Sequence, residues 1–155
     1  MTDGDTQDPP TLNEATERAY RARREALHAA VSDLDQRLNE LEARADPPAD
    51  ELEAALEQLL GTLERHIAES EDRDGLLAQV VDEAPWFGPR AERLRAEHAD
   101  LLEATNELLG RAGDARDVPA LIEETRRLGA RVDAHRHAGT TLLLDAYSLD
   151  VSAGD

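Results

Sequence analysis

Five histidines, His28, His66, His98, His135 and His137, are the side chains of this sequence best suited to chemistry, and three of them recur at a telling spacing. His66 continues the series Leu52, Leu56, Leu59, Leu63, and His98 sits between Leu94 and Leu101 in a series that runs on to Thr105 and Leu108. His135 follows Leu121, Thr125, Leu128 and Val132 and precedes Gly139, Leu142 and Ala146. Steps of four and three residues keep a helical side chain on one face, so these imidazoles are expected to point where leucine would otherwise point, into a core. His28 adjoins Leu27 at the edge of the stripe Leu27, Val31, Leu34, Leu38, Leu41 and shares a face with Val31. His137 lies two residues beyond His135, about 200° around a helix, and should face solvent. An unpartnered polar group in an apolar core costs ~1–3 kcal/mol, so several histidines there require partners. Two solutions exist: a shared metal ion, for which neutral imidazole is a common ligand, or a separate carboxylate or carbonyl for each ring.

Competing chemistries find little support. Cysteine is absent, which removes disulfides, thiolate metal sites and thiol nucleophiles. Glu25 and His28 have the Glu-x-x-His spacing of ferritin-like carboxylate sites, but such sites need a second copy and two further glutamates. No Gly-x-Ser-x-Gly, His-Glu-x-x-His or phosphate-binding glycine loop occurs. Tyr20 and Tyr147 read as packing residues near helix ends.

Acids outnumber bases 35 to 17, for a net charge of −18, and a field of that sign repels phosphate backbones and anionic lipid surfaces. Neither nucleic acid nor membrane is therefore expected as a partner, and a metal ion is. The opening MTDGDTQDPPT is polar and acidic with no apolar stretch, unlike a signal or transit peptide, and no later stretch is apolar enough to span a bilayer. The expected location is the cytoplasm.

The elements that must hold the histidines follow from the same spacing. The 155 residues suit one domain, and a composition of 40% hydrophobic but only 3% aromatic residues means a core of Leu, Ala, Val and Ile, which favours helices. Residues 1–11 are expected to form a disordered acidic arm, 12–147 the folded domain, and 148–155 a flexible tail. Within the domain, helices are expected over about 12–45, 50–71, 89–111 and 118–147, bounded by Pro47-Pro48, Asp74-Gly75, Gly110 with Gly113, and Pro119. The connection from Gly75 to Pro89 should hold a short helical turn that covers one end, with Trp86 and Phe87 too bulky to leave wet. Four amphipathic helices with short links imply an all-α fold, an antiparallel up-down-up-down four-helix bundle. Counted from the expected helix ends, His28, His66, His98 and His135 fall at compatible heights.

Over about residues 20–150 the sequence resembles the hemerythrin-like family of HHE cation-binding domains. The resemblance rests on Leu27-His28 in the first helix, Leu63-Glu64-Arg65-His66 in the second, the run from Leu94 through Glu97-His98 to Leu102 in the third, and His135 followed by the run Leu142 to Tyr147 in the fourth. It implies a four-helix bundle with a non-haem di-iron centre bridged by two carboxylates, used in oxygen binding, sensing or iron handling, and it nominates His28, His66, His98 and His135 as ligands. Family members carry a bridging carboxylate four residues after the second-helix histidine, where this chain has Ser70, and another four or five residues after the fourth-helix histidine, where it has Gly139 and Thr140. A second histidine of the third helix falls on Leu102. Two iron ions without bridging carboxylates would leave positive charge uncompensated in a core, so one iron ion, with Glu69 as an additional ligand, is expected over a bridged pair. The rival reading is a metal-free bundle that kept the fold and serves as a protein-interaction module. A third is a di-iron oxidase in which Glu69 or Glu71 acts as a displaced bridge.

Overall fold

The computed structural model describes residues 14–73, 75–113 and 116–147. Among these residues five α-helices occur in order: α1 (Glu14–Glu42), α2 (Ala49–Glu71), α3 (Leu76–Glu83), α4 (Gly88–Ala112) and α5 (Val118–Tyr147), with a 3₁₀ turn at Pro85–Phe87 before α4. There is no strand among the described residues. The expected arm and tail, with Thr11 to Asn13 and Ser148 to Asp155, lie outside the described residues.

Local chemistry sets most boundaries. Pro48 is extended (φ −73°, ψ 131°) and lacks an N–H, so α2 starts after it, with Asp50 and Glu51 placing negative charge at the positive end of the helix dipole. Gly75 makes the turn between α2 and α3. A Cβ there would lie 2.6 Å from the carbonyl oxygen of Glu69 and 2.9 Å from that of Asp72, so only glycine fits. Pro89 occupies the first turn of α4, where its missing N–H is not needed, and the Asp117 carboxylate accepts from the Ala120 N–H at 3.2 Å to cap α5.

The four long helices form a ring: α1 packs against α2 and α5, and α4 packs against the same two. Residues paired across adjacent helices run in opposite numerical order. Arg44 meets Glu51 while Arg23 meets Glu69, and Tyr20 meets Thr140 while Arg126 meets Asn39. Likewise Arg90 meets Asp145 while Arg111 meets Glu124.

The core divides into two apolar clusters. The larger contains Leu27, Leu34, Leu38, Leu56, Leu63, Leu101 and Val132 among others. The smaller, beneath α3 and the 3₁₀ turn, contains Tyr20, Leu76, Leu77, Val80, Phe87, Leu94 and Leu142. The expected cover over one end of the bundle is thus a full two-turn helix. The bulky pair behaves differently from expectation, because Phe87 is buried but Trp86 is 69% exposed. In so short a turn adjacent side chains diverge, so only one of the two can enter the core. Three histidines lie in sequence between the two clusters: His66 follows Leu63, His98 lies between Leu94 and Leu101, and His135 lies between Val132 and Leu142.

Candidate metal centre

His66 from α2, His98 from α4 and His135 from α5 converge, with one ligand nitrogen of each within 4.8 Å of the others. Ring centroids are 5.5 Å apart for His66 with His98, 5.5 Å for His66 with His135, and 4.7 Å for His98 with His135. His98 and His135 are buried, at 3% and 5% exposure, and His66 is half-buried. His137 is exposed, as its angular offset requires.

Two of the rings are held from behind. His98 Nδ1 lies 3.1 Å from Glu71 Oε1, and His135 Nδ1 lies 2.6 Å from Glu97 Oε2. A carboxylate only accepts hydrogen bonds, so in each pair Nδ1 carries the proton and Nε2 keeps its lone pair. This fixes tautomer and ring orientation as outer carboxylates do in metal sites. His66 has no such partner, and its Nδ1 is buried without a hydrogen bond among the described residues. Burial, reinforced by the neighbouring His135, His98 and Arg23, pushes the His66 pKa down to about 3. Burial also lowers the His98 pKa, although its hydrogen bond to Glu71 acts the other way. Both rings are therefore held as neutral bases, the form that binds a cation.

Nitrogens sharing one tetrahedral ion stand roughly 3.3 Å apart, given metal–nitrogen bonds of about 2.0–2.1 Å. The trio needs at most about 1.5 Å of closure to reach that spacing, a distance within reach of side-chain rotation. Together with the orphaned Nδ1 of His66, this donor set fits a single transition-metal ion.

The other nominated ligands lie elsewhere. His28 is exposed, and Leu27 beside it belongs to the larger apolar cluster. The α1 residues lining the cavity beside the trio are Tyr20 and Arg24. Stepping back along the α1 stripe from Val31 through Leu27 leads to Arg24 and Tyr20, so the four-three spacing puts both on the inward face without giving their height along the bundle. Glu69 is 52% exposed and faces Arg23, whose Nε is 3.4 Å from Glu69 Oε2. Glu71 and Glu97 are the carboxylates that reach the trio, through the outer nitrogens of His98 and His135. The family resemblance drew attention to Glu71 and to the Glu97-His98 pair without showing that role.

A small cavity of ≈ 20 Å³ borders the trio, enough for about one water-sized group. Leu76, Leu77 and Leu94 form apolar wall, while Ser70 and Gly139 occupy two of the positions where the resemblance places bridging carboxylates. Ser70 donates its hydroxyl to the His66 carbonyl at 2.7 Å. A Cβ on Gly139 would lie 3.5 Å from the Tyr20 hydroxyl, so that phenol stands close to where a longer side chain would project. Thr140 does not line this cavity, and its hydroxyl lies 3.3 Å from that of Tyr20. Comparison of the chain with protein-family models, with curated proteins and with solved structures returns no match.

Proposed function

We propose that this chain is a hemerythrin-like, antiparallel up-down-up-down bundle that holds one non-haem iron ion through His66, His98 and His135. In this reading it serves in oxygen, redox or metal sensing or storage and not in multiple-turnover catalysis. The observation that carries the proposal is the convergence of three imidazoles from three helices to within 4.8 Å, two of them already oriented by carboxylates. The opposed numerical order of the cross-helix pairs supports the topology, and the sequence resemblance supports iron among the metals that imidazole suits.

Three protein ligands would leave an ion with open positions, and His66, His98 and His135 all line the cavity. A bound iron ion would supply a redox couple and a Lewis acid there. The chain's own residues would do the rest. Glu71 and Glu97 hold His98 and His135 in orientation and offset part of the ion's charge, and the leucine wall restricts water.

A second reading, the metal-free interaction module, draws on the same contacts, because Glu71 and Glu97 already satisfy two of the three histidines. It leaves the buried Nδ1 of His66 without a partner. Metal analysis of the full chain purified from iron-supplemented cells separates the two. One iron per chain, lost in His98→Ala and retained in His137→Ala, supports the metal centre. No metal at any supply, together with a His66→Leu variant more stable than the parent, supports the metal-free module.

A further inference from the structure

The three rings of the trio are not held alike. Glu71 holds His98 and Glu97 holds His135, and both rings are buried. His66 is half-buried and is met only edge-on by the other two, its ring centroid 5.5 Å from each. Its Nδ1 is buried without a hydrogen bond among the described residues. A buried nitrogen without a partner disfavours the position that buries it, so the chain's own contacts hold this ring inward only weakly.

His66 also stands on a boundary. It lines the cavity of ≈ 20 Å³ beside the trio and, equally, a groove of ≈ 310 Å³ between α1 and α2. The α1 side of that groove includes Ala22 and Ala26, two exposed residues whose single methyl groups leave room for a five-membered ring. Arg23 lines the groove too and is turned to Glu69, with 3.4 Å between its Nε and Glu69 Oε2. Elsewhere the cavity shares its wall with outer grooves at His135, at Leu94, and at Tyr20 with Arg24. His135 is held by Glu97, Leu94 belongs to the smaller apolar cluster, and the Tyr20 hydroxyl lies 3.3 Å from that of Thr140.

We propose that the His66 ring swings between the trio and the groove of α1 and α2, and that its outward position opens the cavity to the surface. Rotation about the bonds of the histidine side chain moves the ring without moving α2. Outward, in a groove at the surface, water satisfies the nitrogen that is left unpaired inward. The motion stands on the contacts of His66 alone. Its consequence rests on the metal reading: His98 and His135, already oriented, would receive an ion first, and His66 would close behind it. The inward ring would then mark a loaded site, and the emptied groove would display that state on the surface.

The test follows the ring nitrogens of the full chain labelled with ¹⁵N-histidine, first after chelator treatment and then during titration with zinc, a diamagnetic ion that imidazole also binds. His66 should show exchange broadening on the μs–ms scale in the chelator-treated chain, His98 and His135 should not, and one zinc per chain should quench it. Ala26→Leu, which fills the groove, should suppress the broadening and slow zinc uptake and release by the same factor, on the order of ten, leaving affinity unchanged. Ala22→Leu repeats the test at a second exposed position. Ala134→Leu, in the groove beside His135, and Leu144→Trp, in the groove beside Tyr20, should leave both rates unchanged. Circular dichroism confirms that each variant is folded. A rigid His66 ring in the chelator-treated parent, broadening unaltered in folded Ala22→Leu and Ala26→Leu, or uptake slowed only by Ala134→Leu or Leu144→Trp overturns the gate. A mobile His66 ring, stilled by Ala26→Leu, in a chain that takes up neither zinc nor iron would instead overturn the metal reading and leave the swinging ring intact.

Discussion

Glu97 Oε2 on α4 lies 2.6 Å from His135 Nδ1 on α5, the shortest contact between a carboxylate and a histidine at the site. The neighbouring residue of α4, His98, is in turn held by Glu71 of α2 at 3.1 Å. One helix thus supplies both an orienting acid and a ligand, and the three helices are tied together by charge-assisted contacts at the level where the rings meet.

That relationship predicts the effect of removing the outer acids. Glu97→Ala should lower iron affinity by about 10–100-fold while leaving helix content intact, and Glu71→Ala should act in the same direction through His98. Glu97→Gln, which keeps the shape but donates or accepts only as a neutral amide, should fall between. Competitive titration against a chelator of known affinity measures the series. Equal affinity in all variants would show that the carboxylates do not position ligands.

The nominated and converging histidines should separate cleanly. Iron stoichiometry should be unchanged in His28→Ala, since His28 is exposed on α1, and should collapse in His135→Ala. A loss of iron in the His28 variant would mean that α1 shifts to bring that ring inward.

The depressed pKa of His66 makes the metal-free protein acid-sensitive. Its ordinary value of 6.5 falls to about 3 in the fold through burial, so the unfolded chain binds a proton at that ring at pH values where the folded chain does not. Stability is therefore full above about pH 6.5 and declines as pH falls from there toward 3, by an amount on the order of a few kcal/mol if other groups are held fixed. His66→Leu should flatten that part of the curve. Denaturant midpoints of the chelator-treated proteins between pH 7 and pH 4 test this, and parallel curves for parent and variant would count against it.

Restoring carboxylates tests why the site would hold one ion. Ser70 and Gly139 line the cavity, whereas Thr140 is turned to Tyr20, so Ser70→Glu with Gly139→Asp should raise iron toward two per chain. Ser70→Glu with Thr140→Asp should not. Without metal either pair buries acids that lack partners, and the thermal midpoint should drop. Iron content with and without chelator decides, and no gain in the Gly139 variant would reject the carboxylates as the missing element.

The packing itself makes a simpler prediction. Leu63→Ala, at a fully buried position one turn before His66, should cost about 2–5 kcal/mol, while Trp86→Ala, 69% exposed, should change stability by about 0.5 kcal/mol or less. Urea midpoints measure both.

The sequence by itself determined which way most of these side chains face. A helix advances by a fixed angle per residue, so the four-three spacing was enough to turn His66, His98 and His135 inward and His137 outward, and proline and glycine were enough to place the long helices within a few residues. Height along the bundle was another matter. Which residue of α1 stands level with the three rings depends on how α1 slides against α2 and α5, and that is set by contacts distant in sequence, such as Tyr20 with Thr140 and Arg23 with Glu69. Only the tertiary structure decided that Arg24 occupies that level and His28 does not. It likewise decided that Glu71 and Glu97, not Glu69, stand behind the histidines, because pairing between helices depends on the separation and rotation of both, and neither is encoded in the periodicity of one.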